Sequence, residues 1–430
     1  MNILIAPIGN VEKYEEVTYI LETKEKKSKI SFSLLEEIKK PEKVIIIALD
    51  TLANEGEKYE EIEEEVKNKI CSFIKGGDQL KGKDIEIIVA PGVGRFSGDK
   101  KIFKGKMRDY YSFLFYHLAE EFVRGDEPLY IYLDLSHGIN YMPVLTYQAI
   151  KEAGALVAIK REVTLETYNS DPVTGKPSES DRFQINKVNE EKVEFTIKKY
   201  LETGSKSRPL EPLSEDVDRK RLDAEITNTL PKKEEILAFL GAVFHGLPLA
   251  IFTFYPEIYT LKEKIRQIYK KWLEHINVIH ENGSLICERK LAFTDFFEVL
   301  VRTVVIGESF NIERRGEVML KELKDLYDRF FKDKFVGYFI EKEFDQTFEK
   351  IKDKIGKDWK FLIEIMREEH SEQIKIGAPD RRNFFAHAGF EGNAVLLRRE
   401  GNNIYLKYDA SSIEPIRRYC MEGICLKKTS

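Results

Sequence analysis

The sequence predicts a doubly wound α/β domain followed by an all-helical domain. Three observations carry that expectation. Short, uniformly apolar runs alternate with helix-like segments through the first 160 residues, a polar stretch holding Pro209 and Pro212 follows, and helical periodicity dominates beyond it. A chain of 430 residues is long enough for two domains of ordinary size.

The runs Ile3–Ile5, Val44–Leu49, Ile85–Ala90, Tyr130–Leu135 and Ala155–Ile159 are too short for helices. They are also too apolar for a sheet with one wet face, so they read as parallel strands covered on both sides. Between them Ser31–Lys39, Gly56–Lys75, Gly105–Arg124 and Ile139–Ala153 read as helices, with Ser31 the expected cap of the first and Pro41 its stop. The acidic run Glu60–Asn68 reads as a solvated helix face. Strands joined through helices at this spacing imply a doubly wound sheet. Turn chemistry at Tyr168–Pro177, between β-prone runs, predicts a hairpin extension over about 163–190.

The expected division is a first domain over 1–203, a linker over 204–231 and a second domain over 232–430. In the second, Leu261–Leu273, Phe293–Val305, Val318–Phe331, Phe344–Ile355 and Trp359–Glu368 carry helical patterns. They exceed a minimal bundle and imply an inserted helical subdomain. Ala394–Tyr408 reads as a terminal β-hairpin around Glu400-Gly401-Asn402-Asn403. Ile236–Tyr255 carries no charge over a length that could span a bilayer. Pro248, two residues after Gly246, breaks it, so the reading is two buried helices meeting at His245–Pro248 and no membrane span.

Composition narrows the function classes. The 69 Lys and Arg face 74 Asp and Glu, a formal net charge of −5, so no broad polycationic surface for phosphate is expected. Apolar residues make up 42%, which excludes a disordered chain. Four cysteines without a C-x-x-C exclude a disulfide scaffold and the common zinc ribbons, and no metal site is readable. Met1–Ala6 lacks a basic export region and reads as the first strand, so an intracellular, cytoplasmic protein is expected.

Two glycine motifs fail as nucleotide fingerprints. Gly77–Lys83 resembles a P-loop, but Asp84 stands where the hydroxyl should be and a strand follows instead of a helix. Gly92-Val93-Gly94 lacks a correctly placed third glycine, which disfavours a nicotinamide enzyme. It still ends a strand at the rim where open α/β sheets bind ligands. Three other strand ends meet that rim: Ile8-Gly9-Asn10, Asp50-Thr51, and Ser136-His137-Gly138-Ile139-Asn140-Tyr141-Met142. The last gathers hydroxyl, imidazole, glycine and carboxamide where a helix begins, which suits phosphates or purine edges.

The sharpest pattern is Asp380-Arg381-Arg382-Asn383-Phe384-Phe385-Ala386-His387. Asp380 is an expected N-cap, and Asn383 and His387, four apart, share a helical face. Arg382 lies about 140° from His387 on an ideal helix. Imidazole moves protons near neutral pH and guanidinium stabilises phosphate oxygens, a pairing suited to phosphodiesters.

The segment Asp134–Asn140 in its α/β setting resembles a CARF domain, the CRISPR-associated Rossmann-like sensor. Arg382–His387 resembles the Arg-x4-6-His motif of HEPN ribonucleases, and Phe244–Leu249 is similar to this group as well. Together they resemble the type III CRISPR accessory ribonucleases. The resemblance implies a homodimer, or a higher assembly of dimers, that binds cyclic oligoadenylate, with cyclic tetra-adenylate expected first. Ile8, Gly9, Asn10, Gly92, Gly94, Arg95, Ser136, His137, Gly138, Asn140, Tyr141 and Met142 would line that ligand site. Arg95 could pair with a ligand phosphate or form a surface ion pair. The resemblance implies metal-free cleavage of single-stranded RNA to a 2′,3′-cyclic phosphate and a 5′-OH. His387 would act as general acid or base, Arg382 as charge stabiliser and Asn383 as orienting group, in a site completed between two subunits. Arg381 could replace Arg382 under looser spacing. The competing class is a CARF-containing DNA-binding transcriptional regulator. That class would need a recognition helix rich in surface Arg, Lys and Asn, whereas 380–389 combines Phe384 and Phe385 with the polar trio.

Overall fold

The computed structural model describes residues 1–76, 80, 84–98, 100–172, 177–202, 207–367 and 375–427. The rejected Gly77–Lys83 motif (Leu80 aside) and the centre of the 168–177 turn lie outside them. The chain forms two compact units, one of Met1–Phe195, Arg208–Ile226 and Arg266–Glu298, the other of Thr196–Ser207, Thr227–Ile265 and Val299–Ser430.

In the first unit the chain runs β1 (Asn2–Pro7), β2 (Val17–Leu21), β3 (Lys24–Ser28), α1 (Phe32–Lys39), β4 (Lys43–Leu49), α2 (Tyr59–Gly76), β5 (Asp84–Ala90), β6 (Gly94–Phe96), β7 (Lys101–Lys104), α3 (Arg108–Phe122), β8 (Leu129–Asp134), α4 (Tyr141–Val157), β9 (Val163–Ser170) and β10 (Arg182–Lys192). Eight strands make one sheet in the order β3-β2-β10-β9-β8-β1-β4-β5. Its heart is parallel: Ile3 pairs with Lys43 and Ile131, and Val44 pairs with Ile85. Leu4, Ile5, Val44, Ile45, Ile46 and Ile47 are fully buried, as strands covered on both faces require.

The fifth parallel strand is not the expected one. Ala155–Val157 closes α4 and Ala158–Lys160 turns out of it, while β9 takes the place beside β8. Ala153 to Val157 are all buried, and a short run without polar residues has no periodicity to separate buried helix from buried strand. The sheet is also mixed, since β9 and β10 pair antiparallel and β2 with β3 adds a second antiparallel pair at the edge. Ser31 does not cap α1; it is helical and its side chain is used elsewhere.

The segment 266–298 belongs with the first unit, so the division differs from a single linker at 204–231. Its hairpin Ile276–Glu281/Ser284–Arg289 extends β7 and β6 into a four-stranded sheet, with Leu285 paired to Lys101. The expected helical insertion is therefore partly a β-hairpin.

The second unit is not all-helical. The helices Lys233–His245, Pro248–Phe254 and Leu320–Phe330 accompany an antiparallel sheet of Val318–Met319, Asn403–Tyr408, Val395–Glu400 and Lys360–Phe361. The hairpin at 395–408 is where the sequence places it, but it recruits two edge strands too short to show a period of two. The helix Ile413–Met421 follows it. Two helices meet at His245–Pro248 as expected, with Gly246 left-handed at φ 64° and Pro248 opening the second. Gly241 lets Lys233–His245 approach Ile413–Met421, since a Cβ there would fall 1.7 Å from the Cys420 carbonyl oxygen. Among the described residues no helix is long and apolar enough to cross a membrane.

Candidate ligand rim and candidate active site

The order β8-β1-β4-β5 places four parallel strand ends side by side, so the loops that follow them form one rim. After β1, Ile8 is buried and its N–H donates to the Ile47 carbonyl at 2.8 Å. The Gly9 N–H donates to the Tyr14 hydroxyl at 2.8 Å, and a Cβ on Gly9 would lie 3.9 Å from Gly138. Asn10 accepts from the Glu12 N–H and so caps the next turn.

After β8, the buried Asp134 accepts from the Ser136 N–H at 2.8 Å and the Ser31 hydroxyl at 2.5 Å. The Ser136 hydroxyl accepts from the Ser170 N–H. His137 as a residue is half-buried, but its ring stacks on Tyr14 at 4.8 Å and meets the edges of Tyr19 and Phe32. Its Nε2 accepts from the Ser31 N–H at 3.1 Å. Burial pulls its pKa down, which keeps the imidazole neutral and the acceptor available. The structure thus brings His137 to the wall beneath the rim, not its ring to the opening. Gly138 has φ 102°, Asn140 is exposed with φ 37°, and Met142 is fully buried. The half-buried Tyr141 hydroxyl accepts from the Val93 N–H at 3.4 Å, joining this loop to the one after β5.

In that third loop Gly92 cannot be replaced without movement, because a Cβ would stand 2.4 Å from the Thr51 methyl. Its N–H donates to Asp50 at 2.8 Å, and its carbonyl accepts from Arg289 at 2.8 Å. Arg289 also pairs with Asp50, and both side chains are enclosed. Burial drives the Asp50 carboxyl upward, opposed by Arg289, the Gly92 N–H and the Tyr59 hydroxyl. Gly94 opens β6 at φ 151°, and Arg95 is exposed. The accessible part of the rim is therefore Asn10, Gly94, Arg95, Ser136, Gly138, Asn140 and Tyr141. Sequence reading missed Tyr14, Ser31 and Arg289. Arg289 lies 239 residues from Asp50, and no local signal joins them.

In the second unit the six-residue helix Arg381–Ala386 carries the Arg/His motif. Asp380 caps it by accepting from the Asn383 N–H at 2.8 Å, as its position predicts. Phe384 is buried against Tyr408 and Tyr419, which anchors the helix, while Arg382, Asn383 and His387 are exposed. The Arg382 guanidinium has no hydrogen-bond or ion-pair partner among the described residues. Arg381 is tied to Glu422 and lies over the Phe385 ring. That leaves Arg382 as the available guanidinium.

His387 closes the helix, donating its N–H to the Asn383 carbonyl at 3.0 Å. Ala388 and Gly389 follow at φ 46° and 86°, and Tyr408 donates to the Gly389 carbonyl at 3.0 Å. His245, from the Phe244–Leu249 segment, packs on Phe385 at 4.7 Å, and Leu247 approaches Gly389. The His387 Nδ1 lies 2.9 Å from Glu343, a carboxylate only 3% exposed that sequence reading did not single out. That bond is the main cause of a raised His387 pKa. Among the described residues no cluster of His, Cys, Asp and Glu has metal-holding geometry.

A Rossmann-like rim of polar loops and an Arg-x4-His helix on the same chain define the class that joins a CARF sensor to a HEPN domain. Two family models bear on this directly: the CARF domain of "CRISPR system endoribonuclease Csx1" matches residues 3–172, and its HEPN domain matches 333–410. The CRISPR system endoribonuclease Csx1 of Methanocaldococcus jannaschii is 34% identical over 414 residues, which cover 90% of this chain and 85% of that protein. The chain belongs to the Csx1 family of CRISPR-associated CARF–HEPN proteins.

Proposed function

We propose that this chain is an endoribonuclease, switched on by a cyclic oligoadenylate at the strand-end rim, that cuts single-stranded RNA without a metal ion. The observation that carries the reading is that Arg382, Asn383 and His387 all stand exposed on one short helix and its C-terminal end, anchored through the buried Phe384. In the reaction the 2′-hydroxyl oxygen attacks the adjacent phosphorus and the P–O5′ bond breaks. This leaves a 2′,3′-cyclic phosphate and a 5′-OH. His387 moves a proton at the leaving or attacking oxygen, and Arg382 stabilises the charge of the five-coordinate phosphate. Asn383 orients the phosphate. One motif per chain calls for a second copy to complete the site, so the working form is a homodimer. Activation then requires the ligand to bind the active arrangement more tightly than the inactive one. Cyclic tetra-adenylate is the first ring to test.

Fluorescent single-stranded RNA, incubated with chelator and with or without cyclic tetra-adenylate, tests both halves. His387→Ala and Arg382→Ala are each expected to slow cleavage by roughly 10²–10³, whereas Arg381→Ala leaves most of it. Cleavage that survives His387→Ala would refute the site. Activity indifferent to every cyclic oligoadenylate would refute the sensor.

A further inference from the structure

We propose that Glu343 is a positioning residue of this active site: its carboxylate holds the Nδ1–H of His387 and so presents Nε2 to the RNA as the proton donor. The inference rests on the ribonuclease reading above and assigns His387 its role in it.

Glu343 opens a π-helical turn, Glu343–Phe348, that continues from the helix Gly337–Lys342. Such wide turns displace a side chain from the regular spiral and recur at functional sites. Two aromatic contacts lock this turn to the loop carrying His387. Phe344 and Phe348 pack on Phe390 at 6.2 and 5.0 Å, and the Phe390 N–H donates to the His387 carbonyl at 2.7 Å. The Thr347 hydroxyl donates to the other Glu343 oxygen at 2.7 Å, fixing the carboxylate in its plane.

A carboxylate so enclosed needs a compensating positive charge, because one hydroxyl does not offset the loss of its hydration. His387 supplies it at 2.9 Å, with its side chain still 47% exposed. The arrangement is asymmetric: one ring nitrogen faces a buried anion and the other remains for substrate. Three charged groups act on the imidazole. Glu343 and Glu391 favour the imidazolium and Lys342 opposes it, with the Glu343 bond the largest influence. Their balance favours the imidazolium over the neutral ring. Its Nε2 proton passes to the departing O5′ as the P–O5′ bond breaks, and the 2′-hydroxyl proton passes to water. The ring is reprotonated from water.

The test is Glu343→Gln in the full chain, assayed for RNA cleavage across pH with the activator bound. The expected result is a loss in kcat of roughly ten- to a hundredfold, below the 10²–10⁴ that a whole general acid supplies, with KM unchanged. The alkaline limb of the rate profile should move to lower pH, and the His387 ring resonance, assigned by its loss in His387→Ala, should titrate at lower pH. Glu343→Asp is expected to recover part of both. Thr347→Val, which keeps the charge, gives a smaller loss in the same direction and covers the case of a poorly folded Gln variant. An unchanged titration midpoint and profile in Glu343→Gln, with His387→Ala inactive, would overturn this inference alone. Full activity in His387→Ala would overturn the underlying reading instead.

Discussion

Arg289→Ala is expected to destabilise the first unit by about 3–5 kcal/mol, the cost of breaking a buried ion pair from one side. Arg289 and Asp50 are 1% and 0% exposed at their side chains, so neither charge can turn to water. Truncation removes the 2.8 Å bond to the Gly92 carbonyl, about 1 kcal/mol net. It also removes the guanidinium from the faces of Tyr59 and Trp272, 6.0 and 5.9 Å away. The largest part is the stranded carboxylate, left with the Tyr59 hydroxyl at 3.1 Å and the Gly92 N–H. The assay is urea unfolding followed by Trp272 fluorescence in a Trp359→Phe background, which isolates the fully buried indole of the first unit. Adding Asp50→Asn to Arg289→Met removes both charges together and should cost less than the sum of the single changes by more than about 1.5 kcal/mol. A loss under about 1 kcal/mol in Arg289→Ala, or strict additivity, would refute the argument that this pair holds the Gly92 loop.

Two further outcomes are expected. Burial pushes the Asp109 carboxyl up to about 7 from 3.8, and among the described residues its Oδ2 finds no donor while Oδ1 accepts from the Phe293 N–H at 2.9 Å. The folded state therefore holds more protons than the unfolded chain between those two values. Stability of the first unit should fall as pH rises through that window and level off above it. Asp109→Asn should flatten this slope in the Trp272 unfolding assay, and an unaltered slope would sink the assignment. Gly389→Ala places a Cβ 3.0 Å from the Tyr408 hydroxyl at φ 86°, at a cost of about 1–3 kcal/mol. It should lower the melting temperature of the second unit and slow cleavage by shifting the turn that holds His387; an unchanged melting temperature contradicts it.

The parallel heart of the first sheet was legible because burial on both faces leaves a composition that little else produces, as Val44–Leu49 shows. The same uniformity made Ala155–Ile159 unreadable: with all but Ala158 buried and no polar residue in the run, helix and strand leave identical traces in the sequence. β3 was missed for the opposite reason. Lys24-Glu25-Lys26-Lys27-Ser28 is an exposed edge whose charges deter further pairing, and nothing in its composition says strand. The edge strands Val318–Met319 and Lys360–Phe361 acquire their conformation only from the hairpin they join, so an all-helical reading of the second unit could not have included them.

At the sites, the same contrast separates local chemistry from distant support. Asp380, Asn383 and His387 were readable together because steps of three and four residues along one short helix set their spacing. Glu343 stands 44 residues before His387, inside a helical pattern where glutamate is ordinary, and only the packing of Phe344 and Phe348 on Phe390 gives it a role. Arg289 is a more distant instance of the same arrangement, an ordinary surface residue by type that tertiary structure encloses beside Asp50. Both buried charges face a residue on an element the sequence had marked, the strand end at Asp50 and the motif at His387. Each is costly to enclose unless paired, so each ties a marked group to one geometry: Glu343 selects the nitrogen that His387 offers, and Arg289 holds the Gly92 loop at the rim. Chemistry in this chain was announced by residues near one another, and its control lies with partners that only the fold brings into range.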